Sequence, residues 1–123
     1  MSYEFFNPNP KGILVGDCVI RALAKALRKS WTDVYSDICV KGLEMADMPS
    51  SNIVWGTYLM DHGFHRVELP RMMNAIDFCR EHPRGEFVLC TGTHTIFVED
   101  ATIYDAWDSS LCMIYYYWER KNG

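Results

Sequence analysis

One cysteine stands where an irregular tract turns into a helix. The run Gly16-Asp17-Cys18-Val19-Ile20-Arg21-Ala22-Leu23 leaves an Asn/Pro/Gly-rich N-terminus and enters apolar residues at helical spacing. The N–H groups of a first helical turn have no intrahelical acceptor, and together with the positive end of the helix dipole they stabilise a thiolate and lower its pKa. The same donors can receive an oxyanion that develops during attack on a carbonyl. Far downstream, His94 lies on a strand-like stretch and Asp105 on the next one, giving the chain order Cys, His, Asp. A thiol nucleophile needs an imidazole as base or ion-pair partner, and the imidazole needs an acid to fix its tautomer. Cys18, His94 and Asp105 supply those three groups in that order.

The orienting acid has two candidates. Asp105 is preferred because a turn centred on Asp100-Ala101 brings its strand beside the His94 stretch. Asp108 lies three residues on, next to Ser109-Ser110, where a turn-capping role competes. Asp17 supports the site as the natural N-cap before Cys18, and Trp107 either shields the His94–Asp105 hydrogen bond from water or fills the core. Among the other thiols, Cys39, Cys79, Cys90 and Cys112 fall at apolar positions and read as core. No CxxC or HxxxH spacing occurs, and Gly63 separates His62 from His65, so neither a metal site nor a cofactor is expected. His62 and His65 read as structural, His82 as exposed beside Pro83.

The elements that must position these groups follow from periodicity. Asn7-Pro8-Asn9-Pro10-Lys11-Gly12 precludes an early helix, so residues 1–15 read as an extended lead-in. Val19, Ile20, Leu23, Ala26 and Leu27 mark an amphipathic helix, with Arg21, Lys25, Arg28 and Lys29 between them on its polar side. A second helix is capped by Ser30 or Thr32, and a third runs from about Ser51 to His62 and stops at Gly63. Phe64 to Glu68 reads as a short strand, and Met72 to Cys79 as a fourth helix ending before Pro83. Glu86–Cys90, Thr95–Val98, Thr102–Trp107 and Met113–Trp118 then read as strands, the last with one face in the core. Helices first and an antiparallel meander afterwards predict an α+β fold in which the N-terminal helices pack on a C-terminal antiparallel sheet.

With 123 residues and 49% apolar side chains, the chain reads as one domain spanning 1–123. Its net charge of -4 offers no footprint for nucleic acid. Five cysteines without regular spacing read as reduced thiols, not as a disulfide framework. No stretch approaches the roughly 20 apolar residues of a membrane span, and the Met1-Ser2-Tyr3-Glu4 start lacks a basic signal region, so a cytoplasmic location is expected.

Gly16-Asp17-Cys18 at a helix start, the His94 stretch and Ile103-Tyr104-Asp105-Ala106-Trp107-Asp108-Ser109 together resemble small papain-like cysteine peptidase domains of the kind encoded in bacterial and phage genomes. The Asp-Cys step is also similar to that of NlpC-type cell-wall peptidases, whose following Ser-Gly is Val19-Ile20 here. The resemblance runs from about Asn7 to Trp118 and implies a papain-like fold with Cys18 as nucleophile, His94 as general base and Asp105 as orienter. It implies hydrolysis of a peptide, isopeptide or amide bond in a protein or peptide substrate, with the host cytoplasm as the setting if the chain is phage-encoded. The position of the papain-type oxyanion glutamine is Gly12 here, which leaves Asn9 as the oxyanion candidate if the Pro-bracketed tract folds back over the site. The alternative is a non-catalytic papain-like binding protein, such as a phage-encoded modulator of a host protein.

Overall fold

Apolar residues three and four apart fold as α1 (Cys18–Leu27), which begins at the cysteine and ends where Arg28 turns left-handed at φ 55°. Ser30 then caps α2 (Trp31–Met45) by accepting the Asp33 N–H at 3.0 Å, and Ser51 caps α3 (Asn52–Asp61) by accepting from Ile53 N–H. The computed structural model describes residues 1–121. Besides these helices it contains β1 (Ser2–Phe5), β2 (Phe64–Asn74), α4 (Ala75–Glu81), β3 (Glu86–Cys90), β4 (Thr95–Glu99), β5 (Thr102–Asp105) and β6 (Met113–Arg120).

The architecture is α+β, with four helices and one six-stranded sheet in the order β1-β5-β4-β3-β6-β2. β3, β4 and β5 form the expected meander; their last turn holds Asp100 and Ala101 at φ 47° and 62°, as a two-residue hairpin requires. The sheet is nevertheless mixed, not antiparallel. β1 pairs parallel with β5, Phe5 opposite Asp105, so the start of the presumed lead-in is a sheet strand. β2 also runs further than predicted, to Asn74, with an irregularity between Glu68 and Met73 that accommodates Pro70 on an edge strand. The fourth helix accordingly starts at Ala75, not near Met72.

Both faces of the sheet are covered. α1, α2 and α3 pack Leu23, Ala26, Val34, Leu59 and Trp55 against Val88, Phe97 and Trp118 on one face. On the other, α4 packs Phe78 and Cys79 against Phe87, Leu89, Ile96 and Ile114. This is why Phe87–Cys90 is an uninterrupted apolar run, with alternate residues entering different cores. His82, expected in solvent, stacks on Phe78 at 4.2 Å and 13° and is half-buried. Cys79 and Cys90 are core residues as predicted, whereas Cys39 and Cys112 are only half-buried. Among the described residues, no helix is long and apolar enough to cross a membrane.

Candidate active site

α1 sits over β4 and β3, so its first turn reaches the end of β4 where His94 immediately precedes Thr95. His94 therefore lies in the β3–β4 connection, not on the strand itself. That connection is tied by the Thr91 hydroxyl, which accepts from the N–H of Thr93 at 3.0 Å and of His94 at 2.7 Å. His94 Nε2 bonds to Asp105 Oδ2 at 2.7 Å, which leaves Nδ1 as the free ring nitrogen. His94 and Cys18 border the same small cavity, so the three residues singled out by type and order gather at one place.

Asp105 is the hub. Its side chain is 1% exposed; Oδ2 also accepts from the Ser109 hydroxyl at 2.7 Å, and Oδ1 from the Ala106 N–H at 2.7 Å and from Arg21 Nη2 at 2.9 Å. Its backbone carbonyl receives the Tyr3 hydroxyl and the Phe6 N–H at 3.1 and 2.8 Å. Asp108 takes no part: it is exposed and accepts from the Ser110 N–H, the turn-capping role.

Arg21 is the residue that sequence reasoning misplaced. It was assigned to the polar face of α1, yet it is 5% exposed and bridges Asp105 to Asp17, the latter at 2.5 Å. Asp17 stands at the N-cap position but makes no side-chain cap; its other oxygen accepts from Trp31 Nε1 at 2.8 Å. A guanidinium between two buried carboxylates removes the repulsion they would otherwise exert. The available signal was the i,i+4 spacing from Asp17, on the helix face that also carries Cys18.

Burial alone would push the Cys18 thiol up. The hydrogen bond from His94, the N–H of Thr95 and the charges of His94 and Arg21 outweigh it, and the thiol ends below its ordinary value. For His94, burial works downward, but the hydrogen bonds to Asp105 and Cys18 raise it to about 9. Burial would raise the Asp105 carboxyl, and its bonds to His94, Ser109 and Ala106 hold it below the usual carboxylate range. All three directions favour a thiolate–imidazolium pair, which titrates as a unit. By contrast, burial pushes Cys90 up to about 12 and raises Cys79 and Cys112.

Trp107 is 49% exposed, which rules out the core role, and its ring lies 4.8 Å from that of His94 at 33°. It covers the imidazole from solvent. Two cavities meet at Cys18. One, of about 250 Å³, lies against α2 and α3 with Tyr35, Ile38, Cys39, Pro49 and Trp55 in its wall. The other, of about 150 Å³, is bordered by His94, Thr91, Thr93 and Asn52.

Asn9 is not brought to the thiol. Its side-chain oxygen accepts the Lys11 N–H at 2.8 Å and closes a local turn, and its neighbour Pro8 borders the C-terminal half of α1 beside Lys25 and Arg28. The backbone N–H groups of Cys18 and Val19, at the start of α1, find no acceptor among the described residues. No group of three His, Cys, Asp or Glu side chains among the described residues is arranged to hold a metal. Comparison of the chain with protein-family models, with curated proteins and with solved structures found no match.

Proposed function

We propose that this chain is a papain-like cysteine hydrolase that cleaves a peptide, isopeptide or other amide bond. The observation that carries the reading is the gathering of Cys18 and the hydrogen-bonded His94–Asp105 pair around one cavity at a helix start, with the thiol lowered and the imidazole raised. Asp105 holds His94 by Nε2 and keeps it protonated; Nδ1–H then faces the thiolate. The Cys18 sulfur attacks the carbonyl carbon, a C–S bond forms, and the oxyanion is received by the first-turn N–H groups of α1. His94 gives its proton to the amine as the C–N bond breaks. The imidazole, now neutral, takes a proton from water, whose oxygen attacks the thioester and frees the acid and the thiol. A nucleophile of this kind works as a free thiol, and Cys18 is free.

The reading is tested with an activated ester small enough to need no recognition. p-Nitrophenyl acetate is expected to give a burst of nitrophenolate near one equivalent per chain and an acetyl group mapped to Cys18. Cys18→Ala abolishes the burst, and His94→Ala slows it. Acetylation of Cys39 at the same rate as Cys18 would overturn the proposal.

A further inference from the structure

Cys39, whose apolar position reads as core, is half-buried instead and borders the same cavity of about 250 Å³ as Cys18. Tyr35, Ile38 and Cys39 stand three and four residues apart on one face of α2, and Ile38 carries that face into the core that α1 shares. The two thiols thus border one space from neighbouring helices. We propose that Cys18 and Cys39 form an oxidisable dithiol: a hydroperoxide converts Cys18 to a sulfenic acid, Cys39 closes a disulfide across the cavity, and a small dithiol reopens it. This chemistry rests on the Cys18–His94 pair of the hydrolase reading and on no step of amide cleavage.

With hydrogen peroxide, the Cys18 thiolate attacks one oxygen, an S–O bond forms and the O–O bond breaks; the departing hydroxide takes the His94 proton and leaves as water. Sulfur has lost an electron pair and the peroxide has gained it. The Cys39 sulfur then attacks the Cys18 sulfur, the S–O bond breaks, and hydroxide leaves with the Cys39 thiol proton as a second water. Closure needs the two Cα atoms within about 7 Å of each other, and the open cavity beside the packed α1 and α2 gives the first turn of α1 room to approach. The other thiols are worse placed. Cys79 and Cys112 belong to the core on the opposite face of the sheet. Cys90 borders the smaller cavity with Cys18, but it is 1% exposed and burial pushes it up to about 12, so it supplies almost no attacking thiolate.

The test treats the reduced full chain with hydrogen peroxide, blocks the remaining thiols with iodoacetamide and maps the cysteines by non-reducing mass spectrometry. A peptide pair joined through Cys18 and Cys39 within one chain is expected, and dithiothreitol should restore alkylation of Cys18 almost completely. In Cys39→Ser, Cys18 is expected to oxidise at the parent's rate but to collect as a dimedone-reactive sulfenic acid. Excess peroxide carries that acid on to the sulfinic acid, which dithiothreitol does not reverse, so recovery falls at least about two-fold. In Cys90→Ser the Cys18–Cys39 bond still forms. With Cys18 still fast toward iodoacetamide, the dithiol alone is overturned by a sulfenic acid that persists in the parent, a bond from Cys18 to Cys90, a bond found only between chains, or full recovery of Cys39→Ser. A Cys18 slow toward both peroxide and iodoacetamide overturns the hydrolase reading and the dithiol together.

Discussion

Replacing His94 by alanine separates the opposing influences on the Cys18 thiol. Burial pushes it up; the imidazole hydrogen bond, the Thr95 N–H and the charges of His94 and Arg21 pull it down. In His94→Ala the strongest downward influence and one of the two positive charges are gone, so the thiol moves up toward its ordinary value of 9.0. At pH 6.5 a thiol at 9.0 is about 0.3% ionised, which sets a ceiling of about 300-fold on the loss of thiolate. The less basic thiolate of the parent is also the weaker nucleophile, with a Brønsted slope near 0.45, and this offset grows with the shift itself. Together they limit the expected loss to about 10-fold at pH 6.5, closing as the pH rises toward 9, where the variant thiol itself ionises. The assay is iodoacetamide alkylation followed residue by residue by mass spectrometry across pH. Cys79, Cys90 and Cys112, all raised by burial, serve as internal references. A His94→Ala profile superimposed on the parent, or a parent Cys18 that tracks Cys79, would refute the coupling.

Three further outcomes follow from the same geometry. Arg21→Met leaves Asp17 as a buried charge without a cation and Asp105 with His94 alone, and is expected to cost about 3–5 kcal/mol in urea unfolding, part of it recovered by adding Asp17→Asn; a loss under about 1 kcal/mol would contradict the bridge. Because His94 is raised from 6.5 to about 9, its contribution to stability is complete below pH 6.5 and lost as the pH rises through 9, with a ceiling of roughly 3 kcal/mol that it shares with Asp105. Asp105→Asn should flatten that alkaline decline in urea midpoints and bring the His94 titration, read by NMR, back toward 6.5. Gly56→Ala places a Cβ 2.9 Å from Trp118 Cζ2; the overpacking, about 1–3 kcal/mol, exceeds the helix-propensity gain of up to about 1 kcal/mol, so a net loss in thermal stability is expected.

Local signals in the sequence located the three chemical groups. A Gly-Asp step before helical periodicity marked the start of α1, and the Glu99-Asp100-Ala101 turn between two apolar runs fixed which aspartate faced the His94 stretch. Arg21 was not legible, since a basic residue on an amphipathic helix reads as solvated unless its partner is known, and Asp105 is 84 residues away. The parallel pairing of β1 with β5 has no local signature either; the strand is four residues long, mostly exposed, and followed by prolines. The extension of β2 past Glu68 was not legible because a proline interrupts a ladder, and only an edge position with a ladder irregularity tolerates Pro70. The half-buried state of Cys39 depends on a cavity that α2 and α3 create only when they pack.

The Asp105 carbonyl that holds Tyr3 and Phe6 joins segments about a hundred residues apart in the order of synthesis. Thr95, His94 and Asp105 emerge some eighty residues after Cys18, and β1 has no ladder partner until Thr102–Asp105 arrives. Until then, the nascent thiol is an ordinary one, mostly protonated at neutral pH and harmless to neighbouring chains. Closing this long loop also places the site among the high-contact-order features of the fold, which form late. The thiol is made some eighty residues before His94 and Thr95, which lower its pKa.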